Sequence, residues 1–304
     1  MTRQELILKL ITEGKEIEEI LTSLKITREQ LNKEITEIRR IGHNIKREIY
    51  YNGTQKFALQ KSTPRNITHI LDVPENGVFR VLAASDYHIG STKENIKYIK
   101  QMYTFAVQND IHIILNAGDL IEGIMNNTKH KNYFEHIEYL LETLPKEQNL
   151  LTLITLGNHD ESLVKNTGLD LHTILNQNRE DIISLGYDVN KIGVGNEEIL
   201  MSHIAKKVCS MSSRLKITGH GHRYNFDISY GNPTLYLPTL STDIKEGFAP
   251  GFVDMQITMK EGYFSKSSFL FYTIRQNQLT KSAIGTFDYE TSCNSQKEKK
   301  LILQ

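Results

Sequence analysis

Apolar positions along the chain follow two regimes. Over residues 2–61 the spacing is first helical and then alternating. RQELILKLI places Leu6, Ile7 and Leu10 on one helical face, and Gly14 ends the run. EIEEILTSL is a second short amphipathic helix. ITREQLNKEITEIRRIG is a third, with Thr27 as N-cap, Gln30 three residues on and Gly42 as the stop. NIKREIYYNGTQKFALQ follows, two β-rich runs flanking Asn52-Gly53, the strongest short hairpin signal. STPRNITHILDVPENG (62–77) holds two of the six prolines and interrupts the periodicity, so residues 63–77 read as a linker.

From Val78 strand-like and helix-like runs alternate. VFRVLAASD, IHIILNAGD, LLTLITLGNHD, EEILMSH and RLKITGHGH read as strands. KENIKYIKQMYTFAVQN, YFEHIEYLLETL and GLDLHTILNQNRE read as helices. This alternation predicts an α/β layered fold with a buried sheet. Beyond residue 230 the pattern turns β-rich (PTLYLPTL, GFVDMQITM, SSFLFYTI), enough to complete a second sheet. The division that follows is a helical and hairpin unit over 1–62, a linker over 63–77, an α/β unit over 78–290 and a charged tail over 291–304.

Composition adds mostly exclusions. The 304 residues carry 36 Lys and Arg against 36 Asp and Glu, so global charge selects no partner. No apolar run approaches the roughly 18–20 residues a membrane span needs. The N-terminus carries acids at helical spacing and no small-residue cleavage site, which predicts no signal peptide. Cys209 and Cys293 make no disulfide framework; two free thiols fit a reducing cytoplasm.

Three helices followed by a hairpin resemble a winged helix-turn-helix. By that resemblance Thr27 to Arg40 is the recognition helix and Asn52-Gly53 the wing tip. Arg28, Lys33, Arg39, Arg40, Lys46 and Arg47 concentrate in the third helix and the first hairpin strand, and are the expected DNA contacts. Residues 1–62 hold 12 Lys and Arg against 9 Glu and no Asp, a net charge of +3, which is modest for a DNA binder. The alternative use of the unit is packing or homodimerisation, with these charges as solvated faces.

The chemistry lies further on. Successive strand-like runs end in metal-ligand residues: Asp86 and His88 in SDYH, Asp119 in GDLIE, Asn158, His159 and Asp160 in GNHD, His203 in MSH, and His220 and His222 in GHGH. In α/β sheets functional residues gather beyond the carboxyl ends of the strands, so these groups can meet. Carboxylate and imidazole together suit Mn, Fe or Zn rather than Ca or Mg, and Mn is the first choice. The groups are too many for one ion and fit two, bridged by a carboxylate.

These blocks, in this order and 33, 39, 45 and 17 residues apart, resemble the calcineurin-like metallophosphoesterases over roughly residues 78–245. The resemblance implies a four-layer α/β/β/α metallophosphoesterase sandwich, here preceded by a small winged-helix domain. It implies two divalent ions: Asp86, His88 and His222 at the first, Asn158, His203 and His220 at the second, and Asp119 between them. It implies a bridging hydroxide that attacks phosphorus in line, His159 donating to the phosphoryl or leaving oxygen, and Asp160 orienting the His159 ring. Glu122 matches the acidic position after G-D and is expected to fix loop geometry rather than bind metal. His172, inside the helical run LDLHTIL, is the rival to His203. His130 and His136 are candidates for lining the cleft, Arg223 for touching phosphate, and His43, His69 and His112 have no motif around them.

The ester itself stays open. SDYHIG and GDLIEG look nearer the repair nucleases of this superfamily than the protein phosphatases. Those nucleases often carry His or Asp where Glu122 stands, and a longer region after the last motif. The leading expectation is a phosphodiesterase acting on nucleic acid, DNA first. A phosphatase or phosphodiesterase on nucleotides or phosphoproteins is the alternative, and a non-catalytic DNA-binding regulator the second.

Overall fold

The computed structural model describes residues 2–50, 52–59, 69–123, 127–130, 132–229, 231–244, 248–292 and 301–303. Cys293, most of the expected tail and residues 63–68 of the expected linker lie outside the described residues.

The N-terminal unit contains α1 (Arg3–Thr12), α2 (Ile17–Leu24), α3 (Arg28–Arg40), and the antiparallel hairpin of β1 (Ile45–Ile49) and β2 (Gln55–Leu59). The Thr2 and Thr27 hydroxyls accept from the third-residue amides of α1 and α3, and Glu5 and Gln30 reach back to the cap amides. Thus each helix start satisfies two otherwise orphaned N–H groups. Ile7, Ile11, Ile20, Leu31, Ile35, Ile38, Ile45 and Phe57 form this unit's own core. Ile49, at the far end of β1, belongs instead to the main core.

That crossing has a cause. β3 (His69–Leu71) lies in the segment expected to be a linker, and pairs in parallel with β1 on one side and β8 (Val189–Val194) on the other. Ile70, a β-branched residue, stands at the middle of this three-residue strand. The hairpin is therefore the end of an eight-stranded sheet rather than a tethered module. After β8 that sheet continues through β9 (Glu197–Ser202), β10 (Leu215–Thr218), β12 (Asn232–Tyr236) and β11 (Asn225–Ser229).

The second sheet is built around β4 (Val78–Ala84), β5 (Ile113–Asn116), β6 (Leu151–Leu156) and β7 (Ile182–Tyr187), all parallel. β13 (Gly251–Lys260) pairs antiparallel to β4, and β14 (Tyr263–Arg275), β15 (Gln278–Asp288) and β16 (Leu301–Leu303) extend the sheet. Alternate residues of β4 point to opposite sides. Phe79, Val81 and Ala83 enter the core between the sheets, whereas Leu82 and Ala84 pack with residues of α4 (Ile96–Gln108), α5 (Tyr133–Thr143), α6 (Asn158–Thr167) and α7 (Leu171–Asn178). The other sheet is covered at its hairpin end by α1, α2 and α3. Nearer β10 the chain lays a 3-10 turn, Ala205–Lys207, after which the buried Lys216 ammonium donates to the Cys209 carbonyl at 3.5 Å. No described helix is long and apolar enough to cross a membrane.

The two sheets meet at one edge of the sandwich, where Ser85 bridges to Thr239 and the Thr239 hydroxyl donates to the Asp86 carbonyl at 2.6 Å. The carboxyl ends of β4, β5, β6, β9 and β10 all open there.

Candidate metal centre

Five short segments, one after each of these strands, carry the centre. They are laced to one another: Asp86 N–H donates to the Gly118 carbonyl (2.8 Å), His88 N–H to the Asp119 carbonyl (3.1 Å), and Gly219 N–H to the His203 carbonyl (3.2 Å). Asp86, His88, Asp119, His220 and His222 all have left-handed backbones, with φ between 48° and 65°. Each such residue costs about 1–2 kcal/mol relative to an ordinary conformation, and strain of this kind concentrates at functional sites. Two glycines are fixed by crowding. A Cβ at Gly157 would lie 2.2 Å from Asp119 Oδ1, and one at Gly219 2.0 Å from Ser85 Oγ.

The side chains converge in three clusters, each with ligand atoms within 4.8 Å of one another: Asp86, His88 and His222; Asp119, His203 and His220; and His88, Asp119 and His159. Asp119 stands in two of them, where a shared carboxylate would have to stand. Asp86 Oδ1 is 3.3 Å from His222 Nε2, and Asp119 Oδ2 is 2.9 Å from His203 Nε2. The His88 and His222 Nε2 atoms face each other at 3.1 Å, and His203 Nε2 is 3.2 Å from His220 Nδ1.

Partners behind the rings set which nitrogen faces inward. His203 Nδ1 donates to the Ala117 carbonyl (2.8 Å) and His222 Nδ1 to the Asp243 carbonyl (2.5 Å), so both turn Nε2 to the centre. Glu122 Oε2 lies 3.0 Å from His88 Nδ1, in the supporting place expected for it. His172 is elsewhere, with Nδ1 3.0 Å from Ser184 Oγ.

Burial pushes the His88 pKa down, but the Asp86 and Glu122 carboxylates outweigh it and bring it to about 10. Burial also opposes protonation of His203, and Asp86 and Asp119 raise it to about 9. Two observations test whether divalent ions fit. The Asp86 Oδ1 and Asn158 Oδ1 atoms are buried with no hydrogen-bond partner, a costly state unless something electropositive meets them. The carboxylates also drive buried imidazoles to take up protons, which a bound cation would displace. The residues fit two divalent cations.

His159 is one-fifth exposed, its ring edge-on to His88 at 4.7 Å. Its own N–H donates to Asp119 Oδ1 (2.9 Å), and its Nδ1 is held by the Glu122 carbonyl (2.9 Å). Asp160 does not have the role expected of it. Its two oxygens accept the N–H groups of Leu120 (3.2 Å), Ile121 (3.0 Å) and Gly157 (2.8 Å). It thereby ties the Asp119 loop to the start of α6, and the Glu122 carbonyl orients His159 instead. Burial, and behind it the Asp119 carboxylate, pushes the Asp160 pKa up to about 6 against these three donors. His136 is a core residue, buried and donating to the Ile89 carbonyl (2.8 Å), with His130 stacked on it; Arg223 is exposed.

The six expected DNA contacts do not form one surface. Arg28 pairs with Glu18, and Arg40 with Glu37 at 2.9 Å. Arg39 Nε donates to the Ile45 carbonyl (2.9 Å). Lys46 is 3% exposed and Arg47 9%, with Arg47 Nη2 on Asn32 Oδ1 (3.0 Å) and its guanidinium over the Phe57 ring. The reason is packing on the faces of β1: Arg47 meets Asn32 of α3 and the Phe57 ring and lines a cleft whose other wall is α7. Lys33 and Arg40 are exposed.

The family model for calcineurin-like phosphoesterases matches residues 79–241. Among solved structures the chain is similar to Vps29 of Entamoeba histolytica complexed with zinc, at 16% identity over 69% of this chain and 99% of that one, TM-score 0.39. It is also similar to YfcE, a phosphoesterase of E. coli, at 13% identity over 62% and 98%, TM-score 0.40. An archaeal phosphodiesterase is similar at 14% identity over 64% and 99%, TM-score 0.40. No curated protein matches the sequence.

Proposed function

The chain belongs to the calcineurin-like phosphoesterase family, and from that premise we propose that it hydrolyses phosphodiesters with two divalent cations at the Asp119 centre. The observation that carries the reading is the chain of three His and Asp clusters, in which His88 links the Asp86–His222 group to Asp119 and Asp119 links it on to His203 and His220, with Asp86 Oδ1 and Asn158 Oδ1 left without hydrogen-bond partners. Asp86, His88 and His222 would hold one ion, Asn158, His203 and His220 the other, and Asp119 both. Bound there, the ions supply Lewis acidity and an activated water for in-line displacement at phosphorus. Manganese, with iron or zinc as substitutes, suits this donor set.

The protein's own groups do the rest. The Glu122 carbonyl takes the Nδ1 proton of His159, which leaves Nε2 as the atom that can hand a proton to a phosphoryl or leaving oxygen. The first turn of α6 carries Asn158 and His159, so a helix N-terminus adds its positive end to the phosphate position. Asp160, by tying Gly157 to Leu120 and Ile121, holds the Asn158 and Asp119 loops at fixed separation.

DNA is the substrate we propose first. Its support is the N-terminal order of three helices and a hairpin, which resembles a winged helix, with Lys33 and Arg40 exposed on the third helix. A cytoplasmic location goes with that substrate. The test is the manganese-loaded full-length protein on bis-p-nitrophenyl phosphate and on labelled DNA, RNA, nucleotides and a phosphopeptide, with His159→Ala as control. Metal-dependent DNA cleavage lost in His159→Ala is expected. Cleavage of the generic diester with all nucleic acids left intact would overturn the DNA reading alone and leave the alternative, a nucleotide or phosphoprotein substrate with the N-terminal unit used for recruitment or dimerisation.

A further inference from the structure

Between α3 and α7, where the N-terminal unit meets the phosphoesterase domain, lies a second polar cleft of about 230 Å³. Arg39 and Arg47 line it from one side and His172, Asn176 and Gln177 from the other, with His69 between. Its charge balance is the unusual feature. Arg47 is 9% exposed, its Nη2 donates to neutral Asn32, and its Nε is buried with no partner. No carboxylate among the described residues pairs with Arg47 or with Arg39. The acidic residue of the lining is Glu29, which is exposed.

A buried guanidinium without a counter-charge is costly, and its planar fork of N–H donors suits phosphate and carboxylate oxygens. Burial, then Arg28 and Arg39, push the Arg47 pKa down to about 9. Burial, then Arg47, Arg39 and His172, hold His69 well below its usual range. The charges that shift these two groups are positive, and the nearest carboxylate beyond the lining, Asp170, acts on His172 and is held by Thr173 and Tyr187.

We propose that this cleft binds a phosphate-type oxyanion, free or as the phosphate group of a monoester, with Arg47 and Arg39 as charged donors and the amide of Gln177 on the opposite wall. The volume admits a tetrahedral anion with a few waters or a small substituent. Because its walls come from both parts of the chain, the anion fastens the N-terminal unit to the phosphoesterase domain. This site is separate from the metal centre, and the proposal does not depend on what the centre hydrolyses.

The test is equilibrium dialysis of labelled inorganic phosphate against the metal-loaded full-length protein, comparing wild type with Asn32→Asp and Gln177→Glu. Asn32→Asp places a carboxylate where Arg47 already donates, and Gln177→Glu adds one at the exposed rim. Both leave the metal centre intact, so any phosphate held there cancels in the comparison. Wild type should bind one phosphate more per chain than Asn32→Asp, and Gln177→Glu should weaken that phosphate several-fold while Gln177→Lys tightens it. At ten times its Kd, phosphate should also raise the wild-type Tm by about 3 °C beyond its effect on Asn32→Asp. Displacement of the extra phosphate by phenylphosphonate identifies a monoester ligand, and failure to displace it identifies the free ion. Equal phosphate stoichiometry in wild type and both acidic variants would overturn the proposal, as would displacement by acetate at equal concentration. Hydrolysis of bis-p-nitrophenyl phosphate, followed in parallel, should be unchanged in every variant, so a failure here is distinct from a failure of the hydrolase reading.

Discussion

The metal-ligand loops and the α3–α7 seam both crowd titratable side chains into a small volume, and they leave opposite deficits. At the loops, Asp86 and Asp119 sit among imidazoles that they pull toward protonation, and two oxygens have no partner. At the seam, Arg39, Arg47 and two histidines gather around a cleft whose one lining carboxylate is at the exposed rim. The first deficit is of positive charge and the second of negative. The orphaned atom in a buried cluster, oxygen in one case and guanidinium nitrogen in the other, names the sign of what is missing more directly than residue counts do, since both regions are mixtures by composition.

The largest effect that would break this contrast is at Asp119, which belongs to two of the three clusters. Asp119→Ala should lower phosphoesterase turnover by roughly 10³-fold or more and reduce bound metal, measured by elemental analysis, from two ions per chain to one or none. Two ions retained at full occupancy would show that Asp119 is not shared. Next in size is His159→Ala. Its ring is held by a backbone carbonyl rather than by the centre's acids. The variant should therefore keep its metal content and lose about 10²–10³-fold in kcat. Loss of metal instead would make His159 a ligand.

The same contrast shows what the sequence carried and what it could not. The centre was legible because each ligand follows an apolar strand-like run and the five blocks keep a fixed order; the local pattern and the chemistry point the same way. The start of α6 is hidden because only Gly157 separates the apolar run LLTLITL from Asn158, and the sequence does not distinguish a capping role for Asp160, three residues after Gly157, from support of the His159 ring. β7 and β8 lie in runs interrupted by Gly186 and Gly193, which weaken the alternation. β3 was lost between prolines. The Ala117 and Asp243 carbonyls that orient His203 and His222 belong to backbone, and residue type carries no trace of them. The seam is illegible in the sequence for a different reason. Leu31, Ile35 and Ile38 of α3 are buried at helical spacing, but periodicity within one helix does not say what covers the neighbouring face, and nothing in it marks Arg39 or Arg47 as enclosed.

Acid should separate the two deficits further. In the metal-free protein His88 and His203 titrate near 10 and 9, both above the ordinary imidazole value. A raised folded pKa adds stability that is fully present below about pH 6.5 and is lost as pH climbs through 9 to 10. Metal binding runs the other way, since a ligating imidazole must be neutral. Between pH 6.5 and 8.5 loading should release protons, and apparent metal affinity should rise about tenfold per pH unit for each proton displaced. Titration of metal at three pH values with a proton-release indicator checks this. Glu122→Gln, which removes one of the two carboxylates holding the His88 proton, should flatten the dependence. A pH-independent affinity would mean the imidazoles are not ligands.

The smallest effect concerns the N-terminal unit, and it decides what α3 is for. Of the six basic residues expected at DNA, Arg28, Arg39, Lys46 and Arg47 are engaged within the protein, which leaves Lys33 and the rim pair Arg40–Glu37. If α3 meets the DNA backbone, each exposed cation neutralises about one phosphate. Lys33→Ala and Arg40→Ala should each reduce the slope of log affinity against log salt by about 0.9 and weaken DNA binding a few-fold near physiological salt. Cleavage of bis-p-nitrophenyl phosphate should not change. Fluorescence anisotropy with a labelled duplex at four salt concentrations resolves a slope change of that size. Unchanged slopes in both variants would assign α3 to the seam alone, where its Asn32 and Arg39 already line the cleft against α7.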